Sequence, residues 1–383
     1  MNWVEIIFWL CCFLVMYTYI LYPALLLGLS IFRRKYRRVD DDYFPTVSLL
    51  IAAYNEEAVI AEKMKNCLAL DYPKDKLEVL VGSDGSDDQT NAIVANYSQD
   101  RIKLFPFQQR RGKAAVLNDI AAAAQGEILI FSDANSMYRR DAVVRLAPHF
   151  ADSKVGGVCG RLVLLSEAHQ IDAEGERFYW DYENYLKHLE GKLKTVFGAN
   201  GAIYAIRRHL FQALPSHKVV ADDFLIPLKV VESGYDVVYD KDAVACEFAA
   251  ENLSAEFKRK VRIGAGNFHG IREILPLLNP RRGFVAFGLW SHKIIRWLVP
   301  FFLLTIFGAN FALLGRLVYD VLFVLQLFFY GVAFMSWQLD RRGTQLPILI
   351  YPYYFVTVNI ALLLGFFKFL TGSQKPAWAR TER

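Results

Sequence analysis

The 383-residue chain carries 44 lysines and arginines against 39 aspartates and glutamates, a formal net charge of +5 at pH 7, and 54% of it is hydrophobic. So small an imbalance provides no polycationic surface for nucleic acid, and much of the excess lies beside apolar runs, as it does at the cytoplasmic ends of membrane spans. The five cysteines, Cys11, Cys12, Cys67, Cys159 and Cys246, are odd in number and have no metal-ligand spacing, which excludes a disulfide framework or a zinc module and suits a reducing compartment.

No charge interrupts Ile6–Phe32, a run longer than the roughly 20 residues that cross a bilayer. It continues directly into Arg33, Arg34, Lys35, Arg37 and Arg38 with no small-residue cleavage site, so residues 1–39 read as a retained span with a basic flank. Residues 40–270 have ordinary charge density and form a cytoplasmic domain with its own core. The mixed basic and apolar residues that follow suit interfacial helices over 271–296. Uncharged stretches at Trp297–Gly315, Val321–Leu339 and Gly343–Phe367 predict about three further spans within 297–371, before a tail over 372–383. The expected location is the inner (plasma) membrane, multi-pass. The basic tail residues Lys375, Arg380 and Arg383 conflict with three later spans, which makes the last span, with Pro347 and Pro352, the one suspected of being re-entrant.

Within 40–270 an apolar strand, Thr46–Ala53, ends at Tyr54-Asn55-Glu56-Glu57 and is followed by a helix to Leu70. Strands at Leu77–Val81, Ile102–Phe107 and Glu127–Phe131 then alternate with helical segments, one of them Lys113–Ala124 with Leu117, Ile120, Ala121 and Ala124 on one face. The alternation implies an α/β domain with a mostly parallel sheet. The second half is more irregular. Its aromatic run Arg177–Tyr185 reads first as core packing, with sugar stacking as the lesser alternative.

Acidic clusters stand where strands end: Asp84 with Asp87 and Asp88 after the second strand, and Asp133 with Asn135 after the fourth. Ligands collect outside the carboxyl ends of such strands, so both clusters are expected at one crevice, with a hard divalent cation between acids and phosphate. Singly, each aspartate also fits a turn or a helix cap. Asp222 and Asp223 open a further helix, where one acid can cap and the other accept a proton. Arg259 and Arg262, three apart, share a helix face and can grip a diphosphate.

In this order these residues resemble the family-2 glycosyltransferases of the GT-A fold, the group that includes cellulose, chitin and hyaluronan synthases. The likeness covers about Thr46 to Gly266 and rests on Val47–Glu56, Val81–Thr90, Arg111–Asn118, Phe131–Asn135, Gly198–Ala202 and Ala221–Asp223. It implies an inverting hexosyltransferase that takes a nucleotide-sugar donor, foremost a UDP-sugar, and a lipid-linked or polysaccharide acceptor, in envelope or exopolysaccharide synthesis. Tyr54, Glu56, Asp84, Lys113 and Asp133 are then donor-binding; Asp133 and Asn135 hold Mn²⁺ or Mg²⁺; Gly198, Asn200, Asp222 and Ile263 lie on the acceptor side. Asp223 is the base and Arg262 stabilises the departing diphosphate. Asn135 replaces a second aspartate, and Ile263 replaces the tryptophan of processive members, which argues against processive polymerisation and export. A catalytically silent scaffold of the same fold is disfavoured by the presence of Asp84, Asp133 and Asp223 together.

Overall fold

The computed structural model describes residues 2–32, 37–99, 101–165, 172–216, 219–249, 253–342 and 346–374. Arg33, Arg34 and Lys35 of the expected basic flank, and Lys375, Arg380 and Arg383 of the tail, lie outside the described residues.

Eight strands form one sheet: β1 (Val47–Ala53), β2 (Leu77–Asp84), β3 (Ile102–Phe107), β4 (Ile128–Asp133), β5 (Met137–Tyr138), β6 (Val155–Leu165), β7 (Tyr204–Arg207) and β8 (Asp236–Phe248), in the order β3-β2-β1-β4-β7-β6-β8-β5. All seven residues of β1 are buried, which is why its sequence is an unbroken apolar run rather than an alternating one. The chain steps outward from β1 through β2 to β3 on one side, then places β4 on the other, all parallel. The sheet's switch point therefore falls between β1 and β4, where α/β sheets open a crevice. Register sets Ala52 against Asp133 and Ala53 against Ser83, so these three strands end level. Beyond β4 the sheet is mixed: β7 runs antiparallel to both β4 and β6, while β8 pairs parallel with β6. The helix Lys113–Ala123 buries Val116, Leu117, Ile120 and Ala121 against this sheet, close to the face expected from its spacing.

Among the described residues four helices are long and apolar enough to cross a membrane: Trp3–Phe32, Phe284–Ala312, Leu317–Asp340 and Ile350–Thr371. The second begins at Phe284, well before the uncharged run at Trp297. Lys293 and Arg296, which break the apolar pattern, are instead turned onto Glu183 of the helix Asp172–Leu193, Lys293 at 3.3 Å. Pro352 stands in the first turn of the last helix, where no backbone donor is needed, so the helix runs on unbroken.

The helix Leu253–Glu273 lies across the last apolar helix at a point where only small residues fit. A β-carbon on Gly365 would sit 2.8 Å from the Val261 carbonyl and 2.9 Å from the Ala265 nitrogen. Phe268 adds a tilted ring contact with Trp297 and an edge contact with Phe366. This packing fixes the helix that carries Arg262 and Ile263 between the sheet domain and the apolar helices.

Candidate active site

The loops after β1 and β2 are zipped together by side chains. Asn55, held in the left-handed region at φ 53°, exchanges hydrogen bonds with Asp87, its Nδ2 donating at 2.6 Å and its Oδ1 accepting from the Asp87 N–H at 3.0 Å. The Glu56 N–H donates to Thr90 Oγ1 at 2.8 Å and the Glu57 N–H to Asp88 Oδ2 at 3.1 Å. The Arg110 guanidinium lies 3.6 Å over the Tyr54 ring, a flat cationic stack at the rim of this loop pair.

Asp84 holds the next loop. It is fully buried, and its carboxylate accepts the N–H groups of Arg111 at 2.7 Å and Gly112 at 2.9 Å. Gly112, at φ 95°, then opens the helix whose first residue is Lys113. The structure thus gives Asp84 the place of a loop anchor and sets it behind the crevice wall, which corrects its expected position among the residues facing the donor.

Lys113 is the hub of the site. Its Nζ lies 2.7 Å from Asp133 Oδ1 at the end of β4 and 3.1 Å from Asp222 Oδ1 at the start of the helix Asp222–Glu232. Burial opposes its charge, but Asp133 and Asp222 outweigh burial and hold its pKa above the ordinary lysine value. The other Asp222 oxygen accepts from the Tyr204 hydroxyl at 3.1 Å, and Tyr204 is itself stacked on Phe131 at 4.7 Å. Asp222 is therefore committed to Lys113 and Tyr204. The residue at the helix cap is Ala221, so neither acid is there as a cap.

Asp223 is differently placed. A β-carbon on Gly201 would be 3.4 Å from Asp223 Oδ2 and 3.5 Å from Asp133 Oδ2, so both carboxylates face the space above this glycine. Burial, then the neighbouring Asp222 charge, raise the Asp223 carboxyl to about 6. The cleft around it encloses about 240 Å³, and Glu56, Lys113, Asp133, Asn135 and Arg262 also line it. Arg259 lines the same cleft and is paired with Glu256 at 2.6 Å and with Glu176.

A second cavity, of about 530 Å³, adjoins the first on the side of the apolar helices. Gly198 lines it, at φ 126°. Asn200 does not: it is fully buried, its Nδ2 donating to the Gly160 carbonyl at 2.7 Å while its Oδ1 accepts from Lys187, and this corrects its expected place at the acceptor. Three residues, Trp180, Asp223 and Ile263, line both spaces. Trp180 was missing from the expected site because its aromatic run reads as core. The available signal was the helix face Glu176, Trp180, Glu183 and Lys187, which sets three charged residues around one aromatic where a core stripe would be apolar throughout.

The loop bearing Asp133 and Asn135 is clamped from below by Lys63, a fully buried lysine of the helix Ile60–Leu68. Its Nζ donates to Ser132 Oγ at 2.8 Å and to the Ser136 carbonyl, and lies 4.2 Å from the Tyr138 ring centroid. Among the described residues no group of three His, Cys, Asp or Glu side chains is placed to hold a metal unaided. The donors present, one Asp133 carboxylate and the Asn135 amide, fit a hard divalent ion whose remaining ligands are phosphate oxygens and water.

Residues 48–214 match the family model for glycosyl transferase family 2. A probable glycosyltransferase of Bacillus subtilis, YdaM, is 26% identical over 381 residues, spanning 88% of this chain and 87% of that protein. A beta-monoglucosyldiacylglycerol synthase of Nostoc is 29% identical over 213 residues, 53% of this chain and 45% of its own length. The poly-beta-1,6-N-acetyl-D-glucosamine synthase of Staphylococcus aureus is 24% identical over 276 residues, 70% of this chain and 66% of the other. Among solved structures, a mannosyltransferase of Pyrobaculum calidifontis in complex with GDP-mannose and Mn²⁺ superposes with a TM-score of 0.75 at 23% identity, over 97% of this chain and 100% of that one, and so shares the fold. A sheet of this order, with this cleft at its switch point, is the GT-A fold of that structure. The family match falls on the part of the chain that holds Lys113, Asp133 and Trp180.

Proposed function

We propose that this enzyme moves a sugar from a nucleoside diphosphate, UDP foremost, to a hydroxyl on a lipid-borne acceptor, with inversion, at the cytoplasmic face of the membrane. The observation that carries this reading is that one carboxylate, Asp223, lies on the wall of both spaces: the charged cleft with Lys113 and Asp133, and the cavity walled by apolar helices. A donor in the first and an acceptor in the second meet at that oxygen.

In this reading Tyr54 and Arg110 receive the nucleoside, and Lys113 with Arg262 faces the diphosphate. Asp223 takes the proton of the acceptor hydroxyl as its oxygen bonds to the anomeric carbon. The anomeric C–O bond to the diphosphate breaks on the opposite face, and the diphosphate leaves with the electron pair. One base suffices for such a displacement. A carboxyl of pKa about 6 is a stronger base than an ordinary one and is still largely ionised at neutral pH. Lys113 is already oriented by Asp133 and Asp222, so it need not reorganise as charge develops. A divalent ion bound by Asp133, with Asn135 beside it, would supply charge stabilisation to the departing diphosphate.

The test is purified enzyme with radiolabelled nucleotide sugars and a total lipid extract, with and without chelator. Label entering the organic phase, lost on chelation and restored by Mn²⁺ or Mg²⁺, is the expected result. Label accumulating only in water-soluble polymer would remove the lipid acceptor, and full activity in excess chelator would remove the metal.

A further inference from the structure

The cavity beside Asp223 has a mouth. Four of its lining residues are also largely exposed on the exterior: Ile20 at 60%, Phe178 at 60%, Met16 at 51% and Tyr351 at 44%. All are apolar or aromatic, and they come from the first apolar helix, the helix Asp172–Leu193 and the start of the last apolar helix. An opening with such a rim, set between two helices long and apolar enough to cross a membrane, faces lipid rather than water.

The interior is not correspondingly neutral. Lys187, Lys260, Lys293 and Arg296 line it, against the carboxylates of Asp223 and Glu183. Glu183 is shared by Lys293, Arg296 and His292. Glu256 and Glu190, which reach Lys260 and His292, are not on the cavity wall. The wall seen by an occupant is therefore net cationic. Two of its cations converge on one ring: Lys260 Nζ lies 3.9 Å from the Tyr179 centroid and the Arg296 guanidinium 5.3 Å from the same centroid. Like charges brought together on an aromatic face in an apolar enclosure repel, and an anion bridging them relieves the repulsion. Burial depresses the Lys260 pKa even though Glu256 stands 3.5 Å from its ammonium.

Resting on the lipid-acceptor reading above, we infer that the acceptor is an anionic lipid, a hydroxyl-bearing headgroup joined to its hydrocarbon through a phosphate or diphosphate. It enters past Ile20 and Phe178, places the phosphate at Lys260 and Arg296, and presents its hydroxyl to Asp223 beside Trp180. A diacylglycerol or a directly linked alkyl glycoside has the apolar part but nothing to satisfy the cations.

The experiment compares three acceptors in detergent micelles with saturating donor: a monosaccharide linked by diphosphate to a long isoprenoid alcohol, phosphatidylglycerol, and the same monosaccharide joined directly to the long alcohol. One of the two phosphate-bearing lipids should exceed the neutral one in kcat/KM by about tenfold or more, the scale of a charge-assisted contact, and which of them does so identifies the source of the phosphate. In Lys260→Met that ratio should collapse towards one, and Lys260→Arg should restore it. Nucleotide binding by calorimetry on each variant reports whether the donor half is folded. A parental enzyme that uses the neutral lipid as well as the anionic ones, or a ratio that survives Lys260→Met, overturns the inference and leaves the lipid-acceptor reading standing. Transfer to a soluble oligosaccharide and to none of the three lipids overturns both.

Discussion

Asparagine at position 223 should abolish transfer and at the same time make the protein more stable. Asp223 is enclosed beside Asp222 and faces Asp133 across Gly201, and burial, followed by these like charges, raises its carboxyl from 3.8 to about 6. A carboxyl whose folded pKa exceeds its unfolded value favours the folded state most below the unfolded value. That advantage is lost as pH rises through the folded value. Two units correspond to about 3 kcal/mol at neutral pH, and partial solvent screening reduces this to about 1–3 kcal/mol. Asparagine keeps the shape and discards the charge, so it recovers this amount, about 2–4 °C in midpoint per kcal/mol for a domain of this size. The same change removes the proton acceptor, which costs on the order of 10²–10⁴ in rate. Both are measured on one preparation, by label transfer and by thermal unfolding at pH 7.5. The stability gain should shrink as pH falls below about 6, where the parental carboxyl protonates. A variant that transfers at the parental rate, or unfolds at a lower temperature, would refute the reasoning.

The parental pH profile should show kcat/KM falling on the acid side with a midpoint near 6, because Asp223 must be ionised to accept a proton; a midpoint near 4 would assign the limb to another carboxyl. Gly201→Ala should fold, since its new methyl makes only ordinary contacts at 3.4 and 3.5 Å, yet it occupies the space between Asp223 and Asp133. Donor turnover should therefore drop while the unfolding midpoint holds, and parental activity would show that the donor does not use this space. Trp180→Ala should raise the acceptor KM and leave nucleotide affinity unchanged, with a loss in kcat/KM of roughly 2- to 10-fold, the scale of an aromatic contact. Lys63→Met should weaken metal-dependent activity by loosening the Ser132–Ser136 loop; an unchanged metal requirement would make Lys63 a packing residue only.

The strands of the first half and the acids at their ends were legible because each signal is local. An unbroken apolar run marks a strand buried on both faces, and Asp133 and Asp223 stand directly at element ends. What was not legible depends on pairings distant in sequence. Asp84 reads as a ligand until Arg111 and Gly112 are found donating to it across 27 and 28 positions. Lys293 and Arg296 break an apolar run on paper, but Glu183 meets them from 110 and 113 residues away, so the helix starts at Phe284 instead of Trp297. Lys63 gives no sign in its own helix that it supports the Asp133 loop. Ile263 and Trp180 meet where the two cavities adjoin although they stand on different helices, a juxtaposition that no local pattern encodes.

The central claim is a single displacement with Asp223 as the one base, and the anomeric configuration of the first product tests it most directly. Proton NMR of the transferred sugar, taken early enough to precede any second addition, should show the configuration opposite to that of the donor. A product of retained configuration would contradict the account, because retention needs either two displacements through a covalent intermediate or attack on the leaving-group face, and neither is served by the arrangement of Asp223, Asp133 and Lys113.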